Sequence, residues 1–319
     1  MKKYSRIAVV AHALLWVATT ASAQEAKLPR IGFVAGAGGY PKMAVTNQAF
    51  FDGLAASDFV DGRTVRVVFR TAEGDMSQMP RLVNEVLAAG VDYVVVSTSP
   101  GCAAAKNATT TVPILCISVQ EDPVAVGHAT TLAQGKGNLV GVHSYLPDGV
   151  TQQLAMLKTL KPGLHTLGVL FNPRNDTHVR VLSEWQSAVA KEGLVIVPLA
   201  ASASTDLDEA LSRAKASKGQ LAIGLLGADT YAMRKEIAEI ATSRDLPIVM
   251  DTPGGYTQLG GVATIGVDIV PLYRKSAVEQ MVPMLKGIPP SQIAWIGPTK
   301  VTMNVNNEVA KRFGLQQIR

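Results

Sequence analysis

The chain has little of what would narrow its function quickly. Only 5% of its 319 residues are aromatic, and it carries no extended run of Lys or Arg. A base-stacking platform needs the first and a phosphate-tracking groove needs the second, so nucleic acid is excluded as a partner. Cysteine is nearly absent, with only Cys102 and Cys116. Two readings of the pair stand side by side: a disulfide, which an oxidising compartment permits, or two small buried thiols. The sequence holds no GxSxG elbow and no HExxH zinc helix. Its histidines beyond the leader, His128, His143, His165 and His178, are well separated. No reacting constellation emerges, and an enzyme is not expected.

Nucleotide motifs are broken as well. Gly36-x-Gly38 would need a third glycine at position 41, where Pro41 stands. The Gly135-Lys136-Gly137 turn lacks both the upstream glycine and the hydroxyl residue of a phosphate loop. Lys136 therefore reads as a solvated turn residue, and no cofactor or metal is expected.

Long apolar runs are missing except at the start. Met1, Lys2, Lys3 and Arg6 precede an apolar stretch over 7–17, and Ala21-Ser22-Ala23 follows it. This is the pattern of a secretory signal peptide, 1–23, cleaved after Ala23. A membrane anchor is a poorer fit, because the apolar core is short and is interrupted by His12, Thr19 and Thr20. Cleavage would remove three of the 30 basic residues and none of the 25 acidic ones, leaving a net charge of +2. The 296 residues that remain are enough to bury about three quarters of their unfolded surface, a length at which chains usually divide into two domains. The expected product is an exported, soluble monomer with no direct membrane insertion.

What is present is a repeated alternation of strand and helix, which predicts an α/β protein with doubly wound parallel sheets. The stretch 91–124 shows the pattern best. Val94, Val95 and Val96 make a β-branched run that stops in Ser97, Thr98 and Ser99, directly before Pro100. A second run, 114–117, ends in Ser118, Val119, Gln120, Glu121 and Asp122. Ligands of open parallel sheets bind outside the carboxyl ends of the strands, so these turns are the first candidates for a site. After His143 the alternation restarts, and more strands end in polar turns at Asn172, at Asp229 to Tyr231 and at Asp251. A single helix is expected over 269–286, with Asp268 as its cap or as a ligand contact.

The order of these motifs resembles the periplasmic substrate-binding proteins of ABC importers, in particular the tryptophan/tyrosine-type receptors with a type I periplasmic-binding-protein fold. The resemblance is carried by FFDGL at 50–54, RTAEG at 70–74, AAAKNATTTVPIL at 103–115, DPVAVG at 122–127 and GNLVGV at 137–142. It continues through LFNPRN at 170–175, LLGAD at 225–229, GVD at 266–268 and LKGIPPSQI at 285–293. It implies three crossings between lobes, near His143, Asp268 and Pro298. Lobe one would be 24–143 with 269–296, and lobe two 144–268 with 297–319. It also implies a periplasmic protein that closes on a ligand and delivers it to a membrane permease. A ligand sensor facing a membrane signalling protein would use the same cleft.

The sequence departs from common members of that family where specificity is set. The loop after the first strand is short and glycine-rich, Cys102 sits at a helix mouth, and Asp229-Thr230-Tyr231 replaces an Asp-Pro pair followed by an aromatic residue. The expected site joins the turn at Gly38, Gly39 and Tyr40 to Thr98, Ser99, Ser118, Gln120 and Asp122, facing Asn172, Asp229, Tyr231, Asp251 and Asp268. A helix start at Pro100 with hydroxyls beside it suits a carboxylate. The aspartates are candidates for an ammonium or for ligand hydroxyls, and Tyr40 and Tyr231, with Tyr256, for the walls. Each also has a plainer reading: Ser99 as an N-cap, Tyr231 as a packed residue, and the glycine loop as a turn without a ligand.

Overall fold

The computed structural model describes residues 28–39, 44–251 and 255–317. The expected signal peptide and Tyr40 lie outside the described residues. Two sheets organise the rest. The first contains β1 (Arg30–Ala35), β2 (Arg66–Thr71), β3 (Tyr93–Val96), β4 (Ile114–Val119) and β5 (Leu139–His143), all parallel, in the order β2-β1-β3-β4-β5. Every residue of β4 and β5 is buried, as befits parallel strands covered on both faces. The helices α1 (Val45–Ala55), α2 (Met79–Ala88) and α3 (Ser99–Ala108) connect them. In α2 the buried residues Met79, Leu82, Val83 and Val86 follow the i, i+3, i+4, i+7 spacing that lays one apolar stripe on the sheet.

The second sheet contains β6 (Thr166–Phe171), β7 (Val195–Ala200), β8 (Leu221–Gly224), β9 (Ile248–Met250), β10 (Ala263–Gly266) and β11 (Thr302–Val305), in the order β11-β10-β9-β8-β6-β7. Its helices are α4 (Gly149–Leu160), α5 (Asp176–Lys191), α6 (Ser204–Ala216), α7 (Ala228–Ala232) and α8 (Arg234–Ser243), with α11 (Asn307–Arg312) at the end of the chain. One strand departs from the expected parallel pattern: β11 runs antiparallel to β10. It forms the edge, where a reversed strand is common in an otherwise parallel sheet. Trp185 is fully buried in this lobe's core.

Between β10 and β11 the chain returns to the first lobe. The expected continuous helix is divided there into α9 (Val270–Ser276), a π turn at Ala277–Met281, and α10 (Val282–Leu285). Pro283 has no N–H to give to the carbonyl four residues back, and a widened turn accommodates that loss. The helix packs Tyr273, Ala277, Met281 and Met284 into the first core. Its π turn also carries the fully buried Gln280, whose Nε2 donates to the carbonyls of Gly141 and Ala294, each at 2.8 Å. These carbonyls belong to two adjacent segments that run between the lobes, paired through Val142 and Ile296. One side chain therefore ties two connections together.

The two cysteines form a disulfide, with Cα atoms 5.4 Å apart. It joins α3 to β4, and so couples the two strand-end turns that the sequence singles out.

Candidate functional site between the lobes

In a sheet ordered 2-1-3-4-5, the connections after the first and third strands leave toward opposite faces and open a crevice. In the first lobe this crevice lies beyond β1 and β3. The Gly36 amide donates to Ser97 Oγ at 3.0 Å across it. Thr98 Oγ1 accepts from the Gly101 amide at 3.0 Å, which makes Thr98 the N-cap of α3. Beside it, Ser118 lies near the end of β4 and Gln120 follows just beyond that end.

The second lobe repeats the order, with its crevice between β6 and β8. Here the crevice is filled by its own network. Asn172 Nδ2 donates to Asp229 Oδ2 at 2.8 Å, and the Thr230 amide donates to Asp229 Oδ1 at 2.8 Å. Asn172 Oδ1 in turn accepts from the Arg174 amide and the Ser202 hydroxyl. His178, fully buried, accepts at Nδ1 from the Asn172 amide at 3.0 Å and donates from Nε2 to the Leu226 carbonyl at 2.9 Å. That pattern assigns the proton to Nε2.

Where the two crevices meet, a cavity of about 60 Å³ is lined by Ser97, Thr98, Ser118 and Gln120, by Thr46 and Asn47 from the first turn of α1, and by Tyr273 from α9. Leu226, Gly227, Ala228 and Tyr231 close it from the second lobe. Tyr273 shares the lining with the hydroxyls of Ser118, Thr46 and Ser97. Burial pushes its phenol up to about 12, and the three hydroxyls pull the other way. Tyr231 is held from outside by Arg234, whose guanidinium sits 3.8 Å from the ring centre. Among the described residues, no charged side chain lines this cavity.

The lobes meet closely around it. A Cβ built on Gly36 would lie 2.5 Å from Thr98 Cγ2 and 2.6 Å from Ala228 Cβ of the other lobe. Toward solvent, a groove of about 990 Å³ continues between the lobes, with Ser99, Glu121, Asn172, Thr177 and Asp229 along it. There Glu121 joins the lobes directly. It accepts from Ser99 Oγ at 2.6 Å and from Thr177 Oγ1 at 2.6 Å, with Arg180 Nη2 at 3.7 Å.

The expected site residues thus divide into groups. Thr98, Ser118, Gln120 and Tyr231 come together on the cavity. Ser99 lies one groove away and is not the N-cap; its hydroxyl is committed to Glu121 and to the Gln120 amide. Asn172 and Asp229 face the same groove, bonded to each other. Gly38, with φ +79°, shapes the turn after β1 and packs on Ala44, while Gly39 lies beside Glu73. Asp122 accepts from the Val124 amide in an exposed turn. Asp268 accepts from the Val270 amide in an exposed turn just ahead of α9, whose N-cap is Ile269. Asp251 lies on another groove of about 370 Å³, beside Gln153 and the interlobe connections. Burial raises its carboxyl to about 7, and a hydrogen bond from Gln153 lowers it. Tyr256 is buried inside the second core rather than on a wall. Ser97, from the expected turn, lines the cavity too, and Thr46, Asn47 and Tyr273 line it although they were not among the expected residues.

Two Rossmann-like lobes with a small polar cavity between them, and direct side-chain bonds across the opening, define a two-lobe binding protein. The chain belongs to the family of ABC transporter substrate binding proteins, whose family model matches residues 38–318. It is 22% identical over 281 residues to a tyrosine-binding protein of Clostridioides difficile, covering 88% of this chain and 79% of the relative. Among solved structures it is similar to a conserved domain protein from Vibrio cholerae, with TM-score 0.80, 21% identity and coverage of 91% and 96% of the two chains. It is also similar to an ABC domain from Streptococcus pneumonia in complex with L-Trp, with TM-score 0.79, 21% identity and coverage of 91% and 95%. The fold is that of the type I periplasmic binding proteins.

Proposed function

We propose that the chain is an exported receptor that encloses a small polar carboxylate between its lobes and passes it to the permease of an ABC importer. The observation that carries this reading is the interlobe cavity, built from the strand ends of one lobe and covered by the other. Thr98, Ser118 and Gln120 would hold the ligand from the first lobe, with Tyr231 closing over it. Asn172 and Asp229 would set the shape of the second jaw rather than touch the ligand. The lobes would rotate about the connections that Gln280 ties together, in the manner of hinge closure. Family membership supports binding as the activity, and the export pattern at the N-terminus supports a periplasmic place of work.

A melting screen of the protein against organic acids, amino acids and nucleobases tests this. A ligand at about 100 times its dissociation constant stabilises by about 2.7 kcal/mol, or roughly 5 to 10 °C at this chain length. A screen in which no small metabolite shifts the melting temperature contradicts the receptor reading.

A further inference from the structure

The cavity's chemistry narrows the ligand beyond a small carboxylate, on the premise that the interlobe cavity is the binding site. An α-amino acid brings an ammonium as well as a carboxylate. Buried away from water, an ammonium needs an acidic partner or a ring of free acceptors, or it costs several kcal/mol. Each aspartate that the sequence offers for that role is placed elsewhere: Asp122 and Asp268 in exposed turns, Asp229 bonded to Asn172 and Thr230, and Asp251 on the groove beside the interlobe connections. Two backbone acceptors of the second-lobe lining are also engaged. The Leu226 carbonyl accepts from His178, and that of Gly227 from Thr230 Oγ1 and the Tyr231 amide.

The field inside the cavity disfavours a cation too. Thr46 and Asn47, on its wall, stand in the first turn of α1, whose N-cap is Ala44 and makes no side-chain capping bond. Alanine has no acceptor for the orphan N–H groups of that turn, which leaves a partial positive charge at the cavity wall. The groups beside it are hydroxyls and amides: Ser97, Thr98, Ser118, Tyr273, Asn47 and Gln120. Ser97 Oγ and Thr98 Oγ1 already accept from the Gly36 and Gly101 amides, which leaves their hydroxyl protons to donate to a carboxylate.

Size points the same way. A cavity of about 150 Å³ holds a benzene ring, so about 60 Å³ is too small for an indole or a phenol and suits only the shortest acids in this arrangement of the lobes. We propose that the ligand is a short-chain hydroxycarboxylate with no ammonium group, rather than an aromatic or other amino acid.

Matched pairs that differ only in hydroxyl against ammonium test this directly: glycolate with glycine, lactate with alanine, and glycerate with serine. Tyrosine and tryptophan are added, and each compound is titrated into the full chain by calorimetry at pH 7.5. The expected result is that at least one hydroxy acid binds at least about 100-fold more tightly than its amino partner, and that neither aromatic amino acid binds. Equal or tighter binding of the amino partners, or binding of tyrosine or tryptophan, overturns the inference and leaves the receptor reading standing. Binding of nothing in this set overturns the inference. If the wider melting screen is silent as well, the receptor reading falls with it.

Discussion

Glu121, just beyond the end of β4 in the first lobe, accepts a hydrogen bond from Thr177, at the start of α5 in the second, at 2.6 Å. The same carboxylate accepts from Ser99 at 2.6 Å, so one side chain is bonded in both lobes. Hydrogen bonds to a charged group contribute about 1.5–3 kcal/mol each, and the bond to Thr177 forms only when the lobes are together. Glu121→Ala should therefore weaken ligand binding by about 10- to 100-fold while leaving the melting temperature of the ligand-free protein nearly unchanged. Thr177→Val should reproduce most of the loss. Full affinity in both variants would remove this contact from the closing step.

Gly36 tests closure from the steric side. Its missing Cβ leaves the space in which Thr98 and Ala228 approach. Gly36→Ala should hold the lobes apart, seen as a larger radius of gyration in solution scattering with ligand present, and should cost about 1–3 kcal/mol of stability through overpacking in the first lobe. Adding Ala228→Gly relieves the contact across the cleft alone, and should restore part of the affinity without restoring the stability.

The disulfide links the helix that begins at Thr98 and Ser99 to the strand that ends near Ser118 and Gln120, across a sequence separation of 14. A loop of that size is worth about 3 kcal/mol of unfolded-state entropy. Cys102→Ser with Cys116→Ser, or reduction of the native protein, should lower the melting temperature by roughly 6 to 12 °C. It should also weaken ligand binding. A melting temperature insensitive to reductant would argue against the bond in solution.

Asp251 provides a pH signature. Its folded pKa, near 7, lies above the ordinary carboxyl value because burial disfavours the charge. Between the ordinary value and about 7 the folded protein binds a proton that the unfolded chain has released, so stability falls as pH rises through that window. Asp251→Asn should match the native protein near pH 4, exceed it in stability at pH 8, and flatten the decline between. Parallel urea melts across pH 4 to 8 measure this, and identical slopes for the two proteins would refute it.

Much of the fold was legible in the sequence because each β-branched run has to be buried and each run ends in polar residues. The runs at 94–96 and 114–117 became β3 and β4, and their ends did supply Thr98, Ser118 and Gln120 to the cavity. The rest depended on partners that a linear pattern does not contain. Tyr273 reaches the cavity from a helix more than 150 residues after β4, and Thr46 and Asn47 read as ordinary positions of an apolar helix. Asp229 and Asp251 look like free acids until Asn172 and Gln153 are found beside them. Glu121 stood between two expected residues, yet its function comes from Thr177, which only the closed lobes bring near. The antiparallel direction of β11 likewise follows from the return of the chain through the first lobe.

The central claim is that the cavity between the lobes is where the ligand sits. Calorimetric titration of the best ligand from the melting screen into the native protein and into Ser118→Ala tests it most directly, since Ser118 lines that cavity and neither of the two larger grooves. The account predicts a dissociation constant raised about 5- to 30-fold, the equivalent of about 1–2 kcal/mol, with an unchanged melting temperature for the free protein. An unchanged dissociation constant would contradict it.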